Sequence, residues 1–467
     1  MAATELSFYD RISDALANPD GQLAIAAGAR AKYDNRARAM SEFPNMEITR
    51  DRARSIRAHT LSQLDKFLAE FADNVEALGG HIFWAKNAQE CNQYINEIAR
   101  AKDVQLVAKA KSMLTEEISL NQSLETSGID VVETDLGEFI VQLSGDKPSH
   151  IIAPILHMTR EDVGNVFKEK LNVPFSDDPA TLNAIARAHM REIFLKADMG
   201  ISGVNFGVSE SGAICLVTNE GNGRLISTAP RIHVAVMGME RLVPTLADLS
   251  IMLQLLARSA TGQKLSVYSN ILCGPRRKNE YDGPEELHIV ILDNGRSEIL
   301  GSTLSEILYC IRCGACLNAC PVFHSIGGHA YGSVYPGPVG SVLSPLLFGD
   351  PWNPLPHASS LCGACKEVCP VDIDLPGLLL KSRSQQIVKG KSPLWMRLSQ
   401  WVYAITSCNP ILFGLALRSG QVVSRLLAND GWFTTLPGPL QGWSIHRDFP
   451  ALAKKSFGQL WDKPSQD

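Results

Sequence analysis

The sequence predicts an α/β domain with a mixed sheet and helices on both faces, then a small α-helical domain around a duplicated cysteine motif, then a helical tail. Two observations predict this order. Strand-like and helix-like stretches alternate from about 79 to 300, and seven of the eleven cysteines lie between 310 and 369. The expected domains are a helical arm over 1–78, the α/β domain over 79–300, the cysteine-rich domain over 301–385 and the tail over 386–467.

Composition sets broad limits on function. The 467 residues are 45% hydrophobic and 20% charged, as in ordinary globular proteins, and this length suits two to four domains. The net charge of −5 argues against a protein that binds nucleic acid through bulk basic charge. The first residues show neither the apolar segment of a signal peptide nor a lipidation motif. We therefore expect a cytoplasmic protein whose clustered thiols bind metal rather than form disulfides.

The arm is predicted from the spacing of its apolar residues. They recur at three- and four-residue steps with charged residues between them, which is the period of an amphipathic helix that packs on one face. The apolar positions are Ile56, Leu61, Leu64, Phe67, Leu68, Phe71, Val75 and Leu78.

The α/β domain is predicted from alternation of the two periods. Helices are expected over "NAQECNQYINEIARAK", which begins at the N-cap Asn87, over "TEEISLNQSLETSG", which ends at Gly128, and over 160–170 and 180–196. Strands are expected in "HIFWA", "VQLVAK", "IDVVET", "SHIIAPI", "GVNFGV", "GAICLVT", "IHVAVMG", "KLSVYS" and "LHIVIL". This order predicts a parallel or mixed sheet, which binds ligands at the carboxyl ends of its strands.

The tail contains a nearly uncharged stretch. "WVYAITSCNPILFGLAL" (401–417) falls short of the roughly 20 apolar residues that a membrane span needs, and it contains Pro410. We expect a buried or partner-facing helix pair that breaks at Pro410, and contact with a membrane surface is the alternative. The tryptophans that favour a packed helical tail are Trp395, Trp401, Trp432 and Trp443.

The duplicated cysteine motif indicates iron–sulfur chemistry. The first copy reads Cys310-x2-Cys313-x2-Cys316-x3-Cys320-Pro321, which is the bacterial-ferredoxin spacing for a [4Fe–4S] cluster. The second copy, "SSLCGACKEVCP", matches it with Cys362, Cys365, Cys369 and Pro370 but has Ser359 in place of the first thiol. Seven cysteines in such a run do not suit structural zinc, which usually takes two separated pairs. The intervening residues must be small so that backbone N–H groups reach the sulfurs, a need met by Gly314, Ala315, Gly363 and Ala364.

In two-cluster ferredoxins the fourth cysteine of each run binds the other cluster. Applied here, this rule assigns Cys310, Cys313, Cys316 and Cys369 to cluster 1, and Cys320, Cys362 and Cys365 to cluster 2. The remaining corner of cluster 2 falls at Ser359. A serine ligand, an outside or solvent ligand, a three-iron cluster and a more distant ligand all stay open. Histidines near the motifs that can hydrogen-bond a sulfur or replace the thiol are His324, His329 and His357, although each one by itself suits an ordinary loop position.

Other candidate residues give weaker signals. The loop "TNEGNGR" (218–224) is either a tight turn or an anion-binding loop with Arg224, and "GPRRK" offers Arg276 and Arg277 to an anion or forms a solvated turn. No dinucleotide or Walker A motif is present in these loops. The scattered cysteines are predicted to be buried structural thiols: Cys91, Cys215, Cys273 and Cys408.

These motifs together resemble one family. "ETDLGEFIVQL", "GISGVNFGVSESGAICLVTNEGNGR", "CIRCGACLNACPVF", "GGHAYGSVYPGP" and "LCGACKEVCPVDIDLP" are similar to the B-type iron–sulfur proteins of bacterial lactate utilization, over roughly residues 10–450. The resemblance implies that 79–300 is a LUD (lactate utilization) domain, related in fold to sugar-phosphate isomerases and CoA-transferases. It also implies two [4Fe–4S] clusters, and it implies that seven cysteines are normal for the family.

The resemblance further implies a function. The chain would be the electron-transfer subunit that helps oxidise L-lactate to pyruvate, beside a cysteine-rich heterodisulfide-reductase-like protein and a smaller LUD-domain protein. The electron acceptor stays unspecified. In the alternative, the LUD domain itself binds and oxidises the 2-hydroxy acid, with Arg224, Arg276 or Arg277 at the carboxylate. A regulatory iron–sulfur sensor is a third option, although no DNA-reading element supports it.

Overall fold

The chain folds as two units. The computed structural model describes residues 6–390, 394–436, 438–444 and 447–461. Contacts between Cα atoms divide the chain into Met1–Gln385 and Gln386–Asp467. The arm, the sheet and the cysteine motifs all belong to the first unit.

Four helices form the N-terminal part of the first unit. Their bounds are Phe8–Leu16 (α1), Pro19–Ser41 (α2), Met46–Ser62 (α3) and Leu64–Ala77 (α4). Ser7 caps α1 with its side chain, and Asp10 completes a capping box. The predicted apolar stripe is buried from Ile56 to Val75, whereas Leu78, just past the end of α4, is 36% exposed. The stripe therefore joins the core of the first unit, as its period predicts.

Ten strands and fourteen further helices complete the described part of the first unit. The strands are His81–Ala85 (β1), Leu106–Lys109 (β2), Asp130–Glu133 (β3), Met199–Gly203 (β4), Phe206–Val208 (β5), Ala213–Thr218 (β6), Ile232–Gly238 (β7), Leu242–Val243 (β8), Tyr268–Leu272 (β9) and Glu286–Leu292 (β10). The helices are Ala88–Ala101 (α5), Met113–Glu117 (α6), Leu120–Thr126 (α7), Leu136–Ser144 (α8), Arg160–Leu171 (α9), Pro179–Lys196 (α10), Asn222–Thr228 (α11), Leu246–Thr261 (α12), Arg296–Leu300 (α13), Ala315–Asn318 (α14), Pro321–Ile326 (α15), Gly337–Phe348 (α16), Ala364–Glu367 (α17) and Leu375–Val388 (α18).

The strands form two sheets. A six-stranded parallel sheet has the order β1-β10-β7-β4-β2-β3, and its register pairs Val234 of β7 with Ile201 and His288. A four-stranded sheet has the order β8-β5-β6-β9 and is antiparallel except where β5 meets β8. The predicted α/β class with a mixed set of strands is confirmed.

The parallel sheet is covered on both faces because β7 alternates its side chains between two cores. Val234 and Val236 pack in a core with residues of α5 and α7. Ala235 and Met237 pack in a second core, which contains residues of α4 and α12 and also the cysteine motifs. This period of two is the expected geometry of a strand, and it places the motifs against one face of the domain.

Four predicted elements differ from the structure. The strand predicted in "KLSVYS" (264–269) is displaced, because β9 begins only at Tyr268 and runs to Leu272. The segment 149–155 is not a strand, because Nδ1 of His150 accepts the N–H groups of Ile152 and Ala153 and turns the chain. The predicted strand 203–208 is divided between β4 and β5. The predicted helix 115–128 breaks at Ser119, whose φ of 54° is left-handed and ends α6 before α7 begins.

The second unit contains a helical hairpin. Its elements are Leu394–Cys408 (α19), Pro410–Leu427 (α20), Trp432–Phe433 (β11), Phe449–Pro450 (β12) and Phe457–Trp461 (α21). The helices separate at Pro410 as predicted, and Asn409 caps α20. Of the two predicted options, a buried or a partner-facing pair, the buried one is wrong, because α19 has no buried residue and α20 has only Ser424. The partner-facing option stays a prediction. Within the described ranges, no helix is long and apolar enough to span a bilayer.

Candidate metal centre and adjoining cavity

The two cysteine motifs adopt the same local backbone. Arg312 and Gly314 have φ values of 61° and 74°, and Leu361 and Gly363 have values of 55° and 87°. Left-handed residues of this kind turn successive backbone N–H groups toward one side, where they can surround an anion. In the first motif the N–H of Arg312 donates to Sγ of Cys310 at 3.4 Å. The short helices α14 and α17 then begin one residue after each glycine.

One group of four thiols encloses a small cavity. Its sulfur-bearing residues are Cys310, Cys313, Cys316 and Cys369, and apolar side chains complete the wall. Burial, together with the neighbouring thiolate of Cys369, raises the pKa of Cys313 to about 12. Thiolates crowded in this way need a strong positive charge between them, which the iron atoms of a cluster supply. The donor set therefore suits a [4Fe–4S] cluster.

The other three thiols form a second group. Burial and then the charges of Cys320 and Cys362 raise the pKa of Cys365 to about 12. Cys320 and Cys365 are buried, whereas Cys362 is exposed. This group therefore reaches the protein surface, unlike the first.

Ser359 occupies the place in the second motif that Cys310 has in the first. Its Oγ accepts the N–H of Leu361 at 3.1 Å, two residues on, just as Sγ of Cys310 accepts the N–H of Arg312. Nη2 of Arg383 donates to the Ser359 carbonyl at 3.1 Å and holds the residue in place. The hydroxyl oxygen is thus positioned like the missing sulfur.

The nearby histidines have other partners. Nε2 of His324 donates to the Asn318 carbonyl at 2.8 Å, and Nε2 of His329 donates to the Lys147 carbonyl at 2.7 Å. His357 is exposed. His324 and His329 therefore each have one ring nitrogen committed to the backbone.

The scattered cysteines divide into two kinds. Cys91 and Cys215 are buried, as predicted. Cys273 and Cys408 are exposed, so the prediction of buried thiols is wrong for these two. Cys273 directly follows β9, an edge strand, and Cys408 ends α19, which has no buried residue.

Arginines from distant parts of the chain surround the thiols, and the sequence patterns did not reveal them. Each donates to a backbone carbonyl in or beside a motif: Arg36 Nη2 to Val368 at 2.7 Å, Arg50 Nε to Cys369 at 3.0 Å, Arg57 Nη2 to Leu308 at 2.9 Å and Arg241 Nη1 to Cys310 at 3.0 Å. Burial lowers the pKa of Arg57 to about 10, which still leaves it charged at neutral pH. These cations favour thiolates, and no local spacing links residues that lie 69 to 332 positions apart.

A larger cavity adjoins the first thiol group. It has a volume of about 270 Å³ and lies at the carboxyl ends of β4 and β7, where Gly203 and Gly238 form part of its wall. Arg312, which stands between Cys310 and Cys313, lines both this cavity and the thiol-lined one. The position agrees with the rule that such sheets bind ligands at the carboxyl ends of their strands.

Of the two predicted anion-binding loops, only one lines this cavity. The loop 218–224 contributes Thr218, Asn219, Glu220, Asn222 and Gly223 to its wall, but Arg224 is exposed and does not line it. Arg276 and Arg277 are also exposed and outside the lining, and Arg276 pairs with Glu285 at 2.9 Å. The loop takes part in the cavity, whereas the three candidate arginines do not.

Comparison with known proteins defines the class of this protein. Residues 68–292 match the LUD domain, and residues 306–373 match the 4Fe–4S dicluster domain. The protein is therefore an iron–sulfur protein that joins a LUD domain to a domain with two [4Fe–4S] clusters.

The particular family follows from full-length relatives. The chain is 46% identical over 459 residues to lactate utilization protein B of Bacillus cytotoxicus. The alignment covers 98% of this chain and 97% of that protein. It is 45% identical over 464 residues to lactate utilization protein B of Bacillus pumilus, with 99% and 98% coverage. The chain belongs to the lactate utilization protein B family, so the resemblance seen in the sequence is confirmed.

One solved structure also aligns with the chain. It is a DUF162 family protein from Deinococcus radiodurans, with 15% identity and a TM-score of 0.28. The alignment covers 49% of this chain and 98% of that chain.

Proposed function

We propose that this protein is an electron-transfer subunit in the oxidation of L-lactate to pyruvate. One observation carries the proposal: an enclosed thiol group lies beside a cavity, and a second thiol group reaches the surface at Cys362. When bound, [4Fe–4S] clusters accept and release single electrons. The chain holds one such site away from solvent and presents the other to a redox partner.

The ligand assignment that we propose crosses between the two motifs. Cys310, Cys313, Cys316 and Cys369 hold cluster 1, which is supported by the single cavity that they line. Cys320, Cys362 and Cys365 hold cluster 2, supported by their mutual effect on pKa. Ser359 Oγ is the proposed fourth ligand, because its hydrogen bond places it like the sulfur of Cys310.

The substrate and the partners of the proposal come from the family. Its curated members are named for lactate utilization. Conversion of L-lactate to pyruvate releases two electrons and two protons, whereas each cluster takes one electron. A cysteine-rich heterodisulfide-reductase-like protein and a smaller LUD-domain protein are the proposed partners, in the cytoplasm, and a partner or an unidentified site removes the hydride.

The assignment can be tested by low-temperature EPR and iron counting on protein purified without oxygen. Cys369→Ala should remove the signal of cluster 1 and leave that of cluster 2, and Cys365→Ala should do the opposite. Cys273→Ala is the matched control, since this exposed thiol lies outside both motifs. Loss of the same signal in both variants would contradict the crossed assignment.

The role in electron transfer needs a separate assay. The purified chain, given L-lactate and an artificial acceptor, should show no turnover alone and should gain it when both partner proteins are added. Turnover by the chain alone would refute the carrier role. It would favour the alternative in which the LUD domain oxidises the 2-hydroxy acid itself.

A further inference from the structure

One arginine of the larger cavity, Arg312, lacks a full set of hydrogen-bond partners, and Arg241 lines the same cavity. Arg312 places its guanidinium 4.5 Å from the centre of the Tyr335 ring, and its Nη2 lies 3.7 Å from Glu240. Among the described residues, Nη1 of Arg312 is buried and has no hydrogen-bond partner. Nη1 of Arg241 donates a hydrogen bond to the carbonyl of Cys310, and Arg241 also lines the cavity. A buried donor without an acceptor is costly, so a ligand here would gain from both arginines.

Carboxylates pair with only part of the positive charge around these arginines. Four buried guanidinium groups belong to this cluster, and two buried carboxylates face them. Both carboxylates contact Arg296, at 2.8 Å for Glu117 and 2.9 Å for Glu240. The remaining cations are Arg57, Arg241 and Arg312, and Arg312 approaches Glu240 only at 3.7 Å. Arg312 therefore keeps a buried guanidinium nitrogen available to an anion in the cavity, whose wall also carries Lys111, Asp135 and Glu220.

The rest of the lining suits a short polar acid. Apolar residues, among them Val204 and Leu216, alternate with polar ones, among them Asn205 and Asn222. The volume of about 270 Å³ is just below the roughly 300–1,000 Å³ of typical small-molecule sites. A ligand of a few carbon atoms fits such a space, whereas a nucleotide cofactor needs more.

We infer that this cavity binds a short 2-hydroxy or 2-oxo carboxylate, with the carboxylate held by Arg241 and Arg312. Arginine forks match carboxylate oxygens in geometry and charge. The choice of ligand class rests on the proposed function, while the site itself rests on the cavity and its arginines. The ligand would lie next to Cys310 and Cys313.

Calorimetry on the cluster-loaded protein tests this inference with L-lactate, pyruvate and oxalate as probes. We expect the natural chain to bind these acids and not to bind the neutral analogue lactamide. Arg241→Met should lower the affinity for the acids roughly tenfold to a hundredfold. Arg276→Met is the matched control, since this exposed arginine pairs with Glu285 outside the cavity. Ala257→Phe, which fills the cavity from α12 without touching a motif, should also abolish binding.

Several outcomes would overturn the inference. They are no binding of any of the three acids at millimolar concentration, equal binding of inorganic phosphate, or unchanged binding by both Arg241→Met and Ala257→Phe at full iron content. If the acids bind but the protein does not transfer electrons, the proposed function is wrong and the cavity site is not. If the protein transfers electrons but does not bind the acids, the cavity site is wrong and the proposed function is not.

A second, independent observation concerns the α19–α20 hairpin. From 386 to 429 the sequence has no Asp or Glu but has five basic residues, namely Lys389, Lys391, Arg397, Arg418 and Arg425. Large apolar side chains on both helices are exposed, including Trp395 at 59% and Trp401 at 62%. Apolar and aromatic residues mixed with basic ones and without acids are typical of helices that lie in the plane of an anionic membrane surface.

We propose that this hairpin rests on a membrane that contains anionic lipid. Each basic residue near such a surface adds about 1 kcal/mol of attraction at low salt, so charge complementarity favours lipid over a neutral protein partner. Neither helix is suited to cross the bilayer, which leaves an in-plane position. The proposal does not depend on the cavity.

Vesicle flotation of the full cluster-loaded chain tests the proposal. Phosphatidylcholine vesicles with phosphatidylglycerol should carry the protein upward, pure phosphatidylcholine should carry much less, and added salt should weaken the effect. Trp401→Glu should abolish flotation, and Tyr281→Glu, at a fully exposed site outside the hairpin, should not. No flotation, a Trp401→Glu variant that still floats, or a stable oligomer that buries the hairpin would each overturn it.

Discussion

Replacing Arg296 by methionine should strongly destabilise the first unit. The Arg296 guanidinium is buried and contacts both oxygens of Glu117, at 2.9 and 2.8 Å, and Glu240 at 2.9 Å. Glu117 also accepts the Tyr335 hydroxyl at 2.6 Å, which ties the sheet domain to the segment between the cysteine motifs. Methionine has a similar length but no charge, so two buried carboxylates would lose their main cation.

The size of the effect follows from that burial. Removing one partner of a buried ion pair costs about 3–5 kcal/mol, because the other charge stays desolvated. The double variant Arg296→Met with Glu117→Gln removes one of the two buried carboxylates that would otherwise lack their cation. The combined loss should therefore be smaller than the sum of the single losses by about 0.5–3 kcal/mol.

The loss should also depend on pH. Burial raises the pKa of Glu117, but the charge and hydrogen bonds of Arg296 outweigh it and lower the pKa overall. In the natural chain this contribution to stability is present above the unfolded pKa of about 4.3 and is lost as the pH falls below it. In Arg296→Met only burial remains, so Glu117 takes up a proton at higher pH. The difference between the two proteins should then shrink from pH 8 to pH 5.

The measurement is urea unfolding under argon, followed by far-ultraviolet circular dichroism at several pH values. Arg276→Met serves as control, because its exposed ion pair should be worth about 1 kcal/mol or less. A loss below about 1 kcal/mol for Arg296→Met, or a loss that grows as the pH falls, would refute the reasoning.

Three further predictions follow from other sites. Ser359→Cys should protect cluster 2 against oxidative loss of iron and suppress any 3Fe signal in EPR. A variant that loses iron as fast as the natural chain would contradict an oxygen ligand at this corner. Gly200→Ala should prevent folding, because its Cβ would lie 1.8 Å from a backbone carbonyl oxygen. Gly414→Ala, on an open helix face, should be neutral or stabilising by up to about 1 kcal/mol. Circular dichroism of both variants tests this difference. A hydrogen bond from His157 lowers the pKa of Asp146 to about 2, so Asp146→Asn should lower the melting temperature above about pH 4, and this difference should vanish as the pH falls toward 2.

Much of the fold was predictable from local patterns. The N-terminal helices, most of the strands and the break at Pro410 follow from side-chain period and from the missing N–H of proline, which act within a few residues. The failures were also local in origin. A histidine ring that accepts two backbone N–H groups turned 149–155 away from a strand, and a left-handed serine divided 115–128.

The candidate site was predictable only in part. Thiol spacing revealed the cluster motifs, because cluster ligation constrains a short loop. The arginine candidates came from short basic or glycine-rich strings, and those arginines lie outside the cavity. Arg241 and Arg312 carry no such signal, since their significance depends on which carbonyls and carboxylates the fold brings to them.

By itself the sequence determined the chemistry of the thiols and the succession of helices and strands, because both depend on neighbours along the chain. Only the tertiary structure decided that Arg36, Arg50 and Arg57 donate to carbonyls in or beside the motifs, and that buried arginines meet at the ends of β4 and β7. Those relations join residues far apart in the chain. Their energy comes from burial and electrostatics that exist only once the core has formed.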